Sequence, residues 1–329
     1  PIWRPRRKIL APTFSPKNLN NFVNIFSKQS SMLVEQLKDV AGKGSFPIWK
    51  YLTSYTMDSV CGKQNSASTL CLPKLIAERV VQPWLHPDWL YEMLPTHDAF
   101  SKDKKVLCDF VDKIIKLKRE SLKEAETISS LDQREGSNDN KNKTFLELLI
   151  EASGGEKGYS DKELQEETLV ILLAGTDTSA VGACFTTVML SRHPEVQDKV
   201  YQELQEVFGD SDRPLTAKDL PRLKYLEAVV KETLRLYPPV PAVARKVETD
   251  VTLPSGLTLV PGCGVLFHIW ALQRNPRYWG KDAEVFRPER FYDSPPSHPM
   301  AYMALPVCYD VHENSRRIIA PSVSSTAVH

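Results

Sequence analysis

One long apolar stretch constrains the fold of this chain more than any other feature. It runs from Leu164 to Leu190 without a proline. Ser160 and Glu163 stand just before it, and their three-residue spacing is the signature of a capping box at a helix start. This pattern predicts one long helix that is buried along its middle. We therefore expect the chain to be organised around this helix.

The middle of the predicted helix is interrupted by a glycine and by hydroxyl-bearing residues, in the segment Ala174-Gly175-Thr176-Asp177-Thr178-Ser179. Glycine costs about 1 kcal/mol relative to alanine in a helix, and a threonine or serine hydroxyl can bond to the carbonyl one turn back. Together these residues predict a groove in which a hydroxyl and a carboxylate could hold a small ligand and relay protons. A helix-packing notch with satisfied polar groups explains the same segment.

Other patterns indicate further helices and a small sheet. Apolar residues at helical spacing predict a helix at 102–120, and the polar composition of 121–143 predicts a surface loop after it. Proline and glycine signals predict two more helices, at 194–209 and 220–238. Short β-prone pieces predict strands within 247–265. The predicted fold class is therefore mainly α with a small β region.

Composition limits the partners and the location that we expect. The 42 Lys and Arg residues balance 41 Asp and Glu residues, so electrostatics gives no reason to expect a nucleic-acid partner. The longest uninterrupted apolar run, Leu169–Gly175, is shorter than the roughly 18 residues of a spanning helix, so we expect it not to cross a bilayer. The six scattered cysteines fit reduced thiols facing the cytosol. Because a basic cluster follows Pro1 directly, we interpret the chain as a fragment.

A pair of opposite charges stands on the helix predicted at 220–238. Glu232 and Arg235 are three residues apart and share one helix face. With Arg290 as a third partner, they could form a buried network with a structural role. Taken alone, the pair is typical of a surface ion pair that contributes little.

Three other residues could bind an anion. Trp3 and Arg7 stand at positions i and i+4, a spacing that lets an indole N–H and a guanidinium hold one carboxylate. A solvated basic helix start explains the same two residues. Arg245, which follows a proline-rich segment, is a further cation, and its sequence context alone indicates no function.

In this order along the chain, these pieces resemble the cytochrome P-450 superfamily of haem-thiolate monooxygenases. The matching elements are WxxxR at Trp3–Arg7, AGxDT at Ala174–Thr178, ExxR at Glu232–Arg235, PPVPxxxR ending at Arg245, and PERF at 288–291. The resemblance runs from Pro1 to Ala304 and implies a partial cytochrome P-450 domain over 1–304. This domain would start at the family's C helix, without the amino-terminal anchor helix and the early helices.

The resemblance also assigns roles to single residues. Thr178 would steady dioxygen over the haem and Asp177 would supply protons, which makes these two the catalytic candidates. Ala174 and Gly175 would line the distal face of the haem. The haem propionates would be held by Trp3, Arg7 and Arg245, and the structural ion network would consist of Glu232, Arg235 and Arg290.

The residues around these motifs resemble the family-four clan of eukaryotic microsomal enzymes, many of which hydroxylate fatty acids or foreign compounds. This resemblance implies dioxygen as oxidant, electrons from the NADPH-dependent cytochrome P-450 reductase, and a place on the cytosolic face of the endoplasmic reticulum membrane. Many members carry a glutamate just before the helix glycine that bonds the haem covalently. Ala174 stands at that position, so we expect no covalent link.

One element of the family is missing. Its iron ligand is a cysteine in a loop of the form FxxGxRxCxG, and the chain contains no such loop. After Ala304 the sequence changes abruptly, as after a frame shift or an aberrant splice, and we predict a disordered tail at 305–329. Cys308 stands too close to Ala304 and has no glycine around it, and His312 lies in a polar tail. We therefore expect no iron ligand from either residue.

Two functions remain open at this point. The first is a haem-dependent monooxygenase by family that is inactive as this chain because the cysteine loop is missing. The second is a non-catalytic splice or frameshift product, or a remnant that binds haem or lipid. An unrelated hydrolase or metalloenzyme is disfavoured because the chain contains no GxSxG, no HExxH and no complete phosphate-loop motif.

Overall fold

The computed structural model describes residues 6–8, 16–61, 72–131, 145–152 and 159–293. Helices dominate these residues and the strands are short, which confirms the predicted fold class. Residues 6–8 form one helical turn. The helices are α1 (Pro16–Lys38), α2 (Trp49–Cys61), α3 (Leu72–Val81), α4 (Asp88–Glu92), α5 (Pro95–Leu131), α6 (Phe145–Ala152), α7 (Asp161–Arg192), α8 (Pro194–Phe208), α9 (Lys224–Leu236), α10 (Ile269–Leu272), α11 (Pro276–Trp279) and α12 (Glu289–Tyr292). The strands are β1 (Val243–Lys246), β2 (Val251–Thr252), β3 (Thr258–Leu259) and β4 (Gly264–Phe267).

The chain divides into two compact units, Pro1–Thr176 and Asp177–His329. The boundary falls inside helix α7 rather than in a linker, so one continuous helix belongs to both units. This explains why no linker is found in the sequence. The partial domain over 1–304 remains a prediction.

The core of the first unit forms where α5, α6 and α7 pack together. Leu107, Val111 and Ile115 follow one another on α5 at four-residue spacing, and they are 1%, 0% and 7% exposed. Leu149 of α6 and Leu164 of α7 complete the cluster, and both are fully buried. Because residues four apart share a helix face, one stripe of each helix supplies this core.

Helix α5 differs from its prediction. The sequence predicts a helix at 102–120 followed by a loop at 121–143, but α5 runs from Pro95 to Leu131. The loop prediction is therefore wrong over 121–131, and 132–144 lie outside the described residues. The segment 121–131 is polar but contains Leu, Lys, Glu and Ala, which have high helix propensity. The extension of an existing helix needs no apolar face of its own, because the costly nucleus is already formed.

Helix α7 begins as the sequence predicts, at a capping box. The Ser160 hydroxyl donates to Glu163 Oε2 at 2.8 Å, and the Glu163 backbone N–H donates to the Ser160 hydroxyl at 3.3 Å. The predicted burial along the middle holds for only one side of the helix. Leu172 and Ala180 are 3% and 0% exposed, whereas Val170 is 57% exposed.

Helix α7 also has the length and hydropathy of a membrane-spanning helix. Its most apolar 18-residue stretch has a mean hydropathy of 1.5, and 17% of that stretch is buried. Among the described residues it is the one helix that meets both criteria. The sequence analysis used the longest uninterrupted apolar run and predicted no membrane-spanning helix. The mean hydropathy over 18 residues gives a different result because it tolerates a single charged residue, Asp177. Core helices of soluble proteins meet the same criteria, so α7 is not assigned to a bilayer on this basis.

In the second unit, α8 and α9 pack together and are followed by two antiparallel strand pairs. Met189 of α7, Val200 of α8 and Val229 of α9 belong to one core cluster of this unit. Gly209 ends α8 with φ 60°, a conformation that favours glycine. Strand β1 pairs with β4, and β2 pairs with β3. The sheet therefore begins at Val243, four residues before the predicted range.

Candidate functional site

The segment 174–179 lies in the middle of α7 and contributes to an open helix face. Val170, Ala174 and Thr178 follow one another at four-residue spacing and so share that face. Val170 is 57% exposed, Ala174 is exposed, and Gly175 and Thr178 are half-buried. This face is therefore apolar and carries one hydroxyl. Its smallest residues, Ala174 and Gly175, would let a flat ligand approach the helix closely.

Two polar groups of the same segment are withdrawn from water. The Thr176 side chain is 7% exposed, and its hydroxyl makes no hydrogen bond within the described residues. Thr186, outside this segment, donates to the Gly182 carbonyl at 2.8 Å, whereas the bond to a carbonyl one turn back that was predicted within 174–179 does not form at Thr176. Asp177 is half-buried, and burial raises the pKa of its carboxyl above the ordinary value. This shift favours the protonated acid, which can donate a proton.

Replacing Asp177 by asparagine should raise the melting temperature at neutral pH. The raised pKa means that the folded chain binds a proton more tightly than the unfolded chain. Wild-type stability should therefore fall as the pH rises above about 3.9, the ordinary carboxyl pKa. Thermal unfolding of both proteins across pH would show the gap opening with rising pH and closing in acid. A wild type that gains stability over the asparagine variant as the pH rises would contradict the buried-acid interpretation.

The predicted anion-binding cations lie on separate elements. Arg7 is half-buried in the helical turn at 6–8, and Trp3 lies outside the described residues. Arg245 is half-buried on β1, and its Nη1 donates to the Ala244 carbonyl at 2.8 Å. Arg7 belongs to the first unit and Arg245 to the second.

Arg6, which the sequence analysis did not single out, contacts the start of α7. Its Nη1 donates to Glu166 Oε2 at 2.7 Å and lies 3.4 Å from Glu167 Oε1, and its Nη2 lies 3.4 Å from Glu163 Oε1. The Tyr159 hydroxyl donates to the Arg6 backbone carbonyl at 2.5 Å. The spacing of the three glutamates on one helix face is a sequence signal that could have predicted a distant cation.

Glu232, Arg235 and Arg290 come together in the second unit. Arg235 Nε and Nη2 donate to the two carboxylate oxygens of Glu232 at 2.7 and 2.8 Å, and both side chains are fully buried. Arg290 Nε lies 3.4 Å from Glu232 Oε1, and the Arg287 backbone N–H donates to the same oxygen at 2.9 Å. The Glu232 carboxylate thus accepts from two residues and pairs with a third.

The remaining donors of Arg235 bind carbonyls of the segment that follows the sheet. Its Nη1 donates to the carbonyls of Gln273 and Ala283 at 2.7 and 2.6 Å, and its Nη2 donates to that of Val285 at 3.2 Å. All five guanidinium N–H groups therefore have acceptors. Arg235 also lies over the Trp279 ring, 4.7 Å from its centroid. This arrangement ties α9 to 273–290.

The family comparison matches these elements. The family model described as Cytochrome P450 matches residues 1–304, which include the open face of α7, Arg7, Arg245 and the buried network. The chain belongs to the cytochrome P450 family. The match ends at Ala304, where the predicted resemblance also ends.

Cytochromes P450 with the number four in their names are among the curated relatives of this chain. Cytochrome P450 4V2 of Pongo abelii is 34% identical over 318 residues, which cover 92% of this chain and 60% of the relative. Cytochrome P450 4V2 of Homo sapiens is 33% identical with the same coverage. Cytochrome P450 4d2 of Drosophila melanogaster is 34% identical over 327 residues, covering 92% of this chain and 64% of the relative. The chain thus spans about three-fifths of the length of these relatives.

Haem is the cofactor that the cytochrome P450 family implies, and the described residues fit the porphyrin. The open face of α7 offers Ala174 and Gly175, where a flat apolar ring could lie close to the helix, beside the Thr178 hydroxyl. The guanidinium groups of Arg7 and Arg245 are chemically suited to carboxylates such as the propionates. The donor set therefore suits the ring and its acidic edge.

The described residues fit the iron of haem less well than they fit its porphyrin ring. Cys61 ends α2, Cys108 lies in α5, Cys184 in α7 and Cys263 just before β4, so no described cysteine stands in a loop of the family's form. Burial raises the pKa of the Cys184 thiol, which disfavours the thiolate that a haem iron requires. Cys308 and His312 lie outside the described residues. The described residues therefore include no sulfur ligand for the iron.

Proposed function

We propose that this chain derives from a haem-dependent monooxygenase that hydroxylates an apolar substrate, and that the chain itself does not catalyse the reaction. The substrate class is a fatty acid or a foreign compound, as the likeness to the family-four relatives suggests. The oxidant is dioxygen, and the electrons come from the NADPH-dependent cytochrome P-450 reductase. The site of action is the cytosolic face of the endoplasmic reticulum membrane.

The proposal gives each residue of the candidate site one task. When it is bound through a cysteine thiolate, haem supplies the activation of oxygen. In this proposal Ala174 and Gly175 allow a flat ring to approach α7, and the Thr178 hydroxyl holds a polar ligand beside that ring. Asp177, whose burial favours the neutral acid, supplies the proton. The propionates are held by Trp3, Arg7 and Arg245.

The proposed inactivity rests on a single observation: none of the six cysteines stands in a loop of the form FxxGxRxCxG. Without a thiolate on the opposite side of the ring, the residues of α7 can bind and orient ligands but cannot transfer oxygen. Residues 1–304 form the partial cytochrome P450 domain, and the predicted tail at 305–329 lies outside the described residues. The same observation favours the second function, a non-catalytic product that retains the ability to bind haem or an apolar ligand.

The proposal is tested by incubating the purified chain with haem, the reductase, NADPH and a medium-chain fatty acid. We expect no hydroxylated product above the level of a reaction without the chain, and an intact relative serves as positive control. The variant Cys308→Ser should behave like the wild type, because Cys308 is not an iron ligand. Product that forms with the wild type and disappears with Cys308→Ser would overturn the proposal.

A further inference from the structure

We propose that Arg6 is a positioning residue, which binds three carboxylates at the start of α7 and thereby fixes the adjacent Arg7 for binding a porphyrin carboxylate. This inference rests on the proposed function in one respect, the role of Arg7 toward the porphyrin. It goes beyond that function by assigning a task to Arg6, Tyr159 and the first two turns of α7.

The first two turns of α7 need a cation from outside the helix. Glu163, Glu166 and Glu167 stand at positions i, i+3 and i+4 and therefore share one face, where like charges destabilise each other. Glu167 is the least exposed, with 16% of its side chain accessible, and burial raises the pKa of its carboxyl. A buried, unpaired carboxylate is costly, so this face favours a conformation in which a guanidinium covers it.

Arg6 supplies this cation and contacts all three carboxylates. Its side chain is 21% exposed, and the strongest contact is the 2.7 Å hydrogen bond to Glu166. Glu163 is itself fixed, because its Oε2 accepts from the backbone N–H and hydroxyl of Ser160 at 3.0 and 2.8 Å while its Oε1 faces Arg6. The capping box that starts α7 therefore also orients one partner of Arg6.

A second bond holds the backbone of the same turn. The Tyr159 hydroxyl donates to the Arg6 carbonyl at 2.5 Å, and the Tyr159 ring is 4% exposed in the core of the first unit. Burial raises the pKa of Tyr159 to about 12, so the hydroxyl remains a donor at neutral pH. The turn at 6–8 is thus fixed through the Arg6 side chain and through its main chain.

Fixing Arg6 also restricts Arg7. Neighbouring residues of a helix point about 100° apart, so the Arg6 and Arg7 side chains leave this turn in different directions. With its backbone held, Arg7 loses less conformational freedom when it binds a carboxylate, and pre-organisation of this kind increases affinity. Releasing the turn should therefore weaken carboxylate binding by Arg7 roughly three- to tenfold.

The experiment measures binding of iron-free protoporphyrin IX to the full chain by porphyrin fluorescence, so that no iron ligand is required. The variants are Arg6→Gln, Arg7→Gln and the double variant, with Arg6→Lys as a conservative replacement. The matched control is Arg119→Gln, which removes another arginine that contacts the start of α7. Arg119 lies on α5, and its Nη2 donates to Asp161 Oδ1 at 2.5 Å. Circular dichroism checks that each variant folds, and Tyr159→Phe provides a milder second way to release the turn.

We expect Arg6→Gln to weaken protoporphyrin binding roughly three- to tenfold when Arg7 is present. When Arg7 is already replaced by glutamine, Arg6→Gln should have no further effect. Arg6→Lys should recover part of the affinity, Tyr159→Phe should show the same dependence on Arg7, and Arg119→Gln should change nothing. An equal loss from Arg6→Gln in both backgrounds, or no porphyrin binding by the wild type, would overturn the inference. If Arg7→Gln weakens binding and Arg6→Gln does not, only the positioning role fails. If Arg7→Gln has no effect, the proposed role of Arg7 fails as well.

Discussion

Replacing Glu232 by glutamine should lower the free energy of unfolding by about 3–5 kcal/mol, because it leaves buried guanidinium groups without their counter-charge. Arg235 is 1% exposed and uses two of its N–H groups on this carboxylate, and Arg290 lies beside the same oxygen. The amide of glutamine keeps the shape but presents N–H groups where an acceptor is needed. A loss of this size is a large part of the roughly 5–15 kcal/mol that stabilises a typical domain.

The matched control is Glu227→Gln on the same helix. Glu227 pairs with Lys231 four residues away, but 57% of its side chain is exposed. Exposed pairs of this kind contribute about 0.3–0.5 kcal/mol. Urea titrations of the wild type and both variants, followed by circular dichroism, provide the comparison. Equal and small effects at Glu232 and Glu227 would show that the buried network contributes little to stability.

Replacing Leu164 by alanine should destabilise the first unit by about 2–5 kcal/mol, since it creates a cavity in a closed core. Leu164 is fully buried on α7 and belongs to the cluster that includes Leu149 and Val111. Alanine is the best helix former, so helix propensity contributes nothing to the loss. The range reflects how far the surrounding side chains can move into the space.

Val170→Ala on the same helix is the control for this substitution. Val170 is 57% exposed, so its truncation creates no cavity and should change stability by less than about 0.5 kcal/mol. Both variants can be compared by denaturant unfolding and by hydrogen exchange of α7. A Val170→Ala loss as large as that of Leu164→Ala would mean that the exposed face of α7 is covered in solution.

The features of the fold that depend on local patterns could be predicted from the sequence. The capping box at Ser160 and Glu163 and the glycine end of α8 at Gly209 are found where the sequence predicts them, because each depends on residues three or four apart. The extension of α5 to Leu131 was missed, because helix propensity continued where the apolar pattern stopped. The exposed side of α7 was also missed, since composition reports that residues are apolar but not which neighbours cover them.

The candidate site was predictable where its residues share one element. Ala174, Gly175, Asp177 and Thr178 stand on a single helix, so their spacing already fixes which of them share a face. The contact between Arg6 and Glu166 joins residues that are 160 positions apart, and no local pattern on the Arg6 side marks it. The three-glutamate face of α7 indicates that a cation is needed, but only the fold indicates which one.

The sequence also identified three network residues: Glu232 and Arg235 from their spacing, and Arg290 as their third partner. It could not predict the carbonyls of Gln273 and Ala283 that complete the donors of Arg235, because backbone acceptors carry no residue-specific signal. The geometry of such a network depends on how the segment at 273–290 folds back on α9. A tertiary contact of this kind is determined by the fold as a whole.

The absorption spectrum of the haem-treated chain, reduced and exposed to carbon monoxide, tests the central claim most directly. Only thiolate-ligated haem iron gives the red-shifted carbon monoxide band of this family. Because no cysteine stands in the family's loop, the chain from Pro1 to His329 should lack that band at any haem concentration. A red-shifted band in the wild type that Cys308→Ser abolishes would contradict the account, since it would show that the chain supplies its own sulfur ligand.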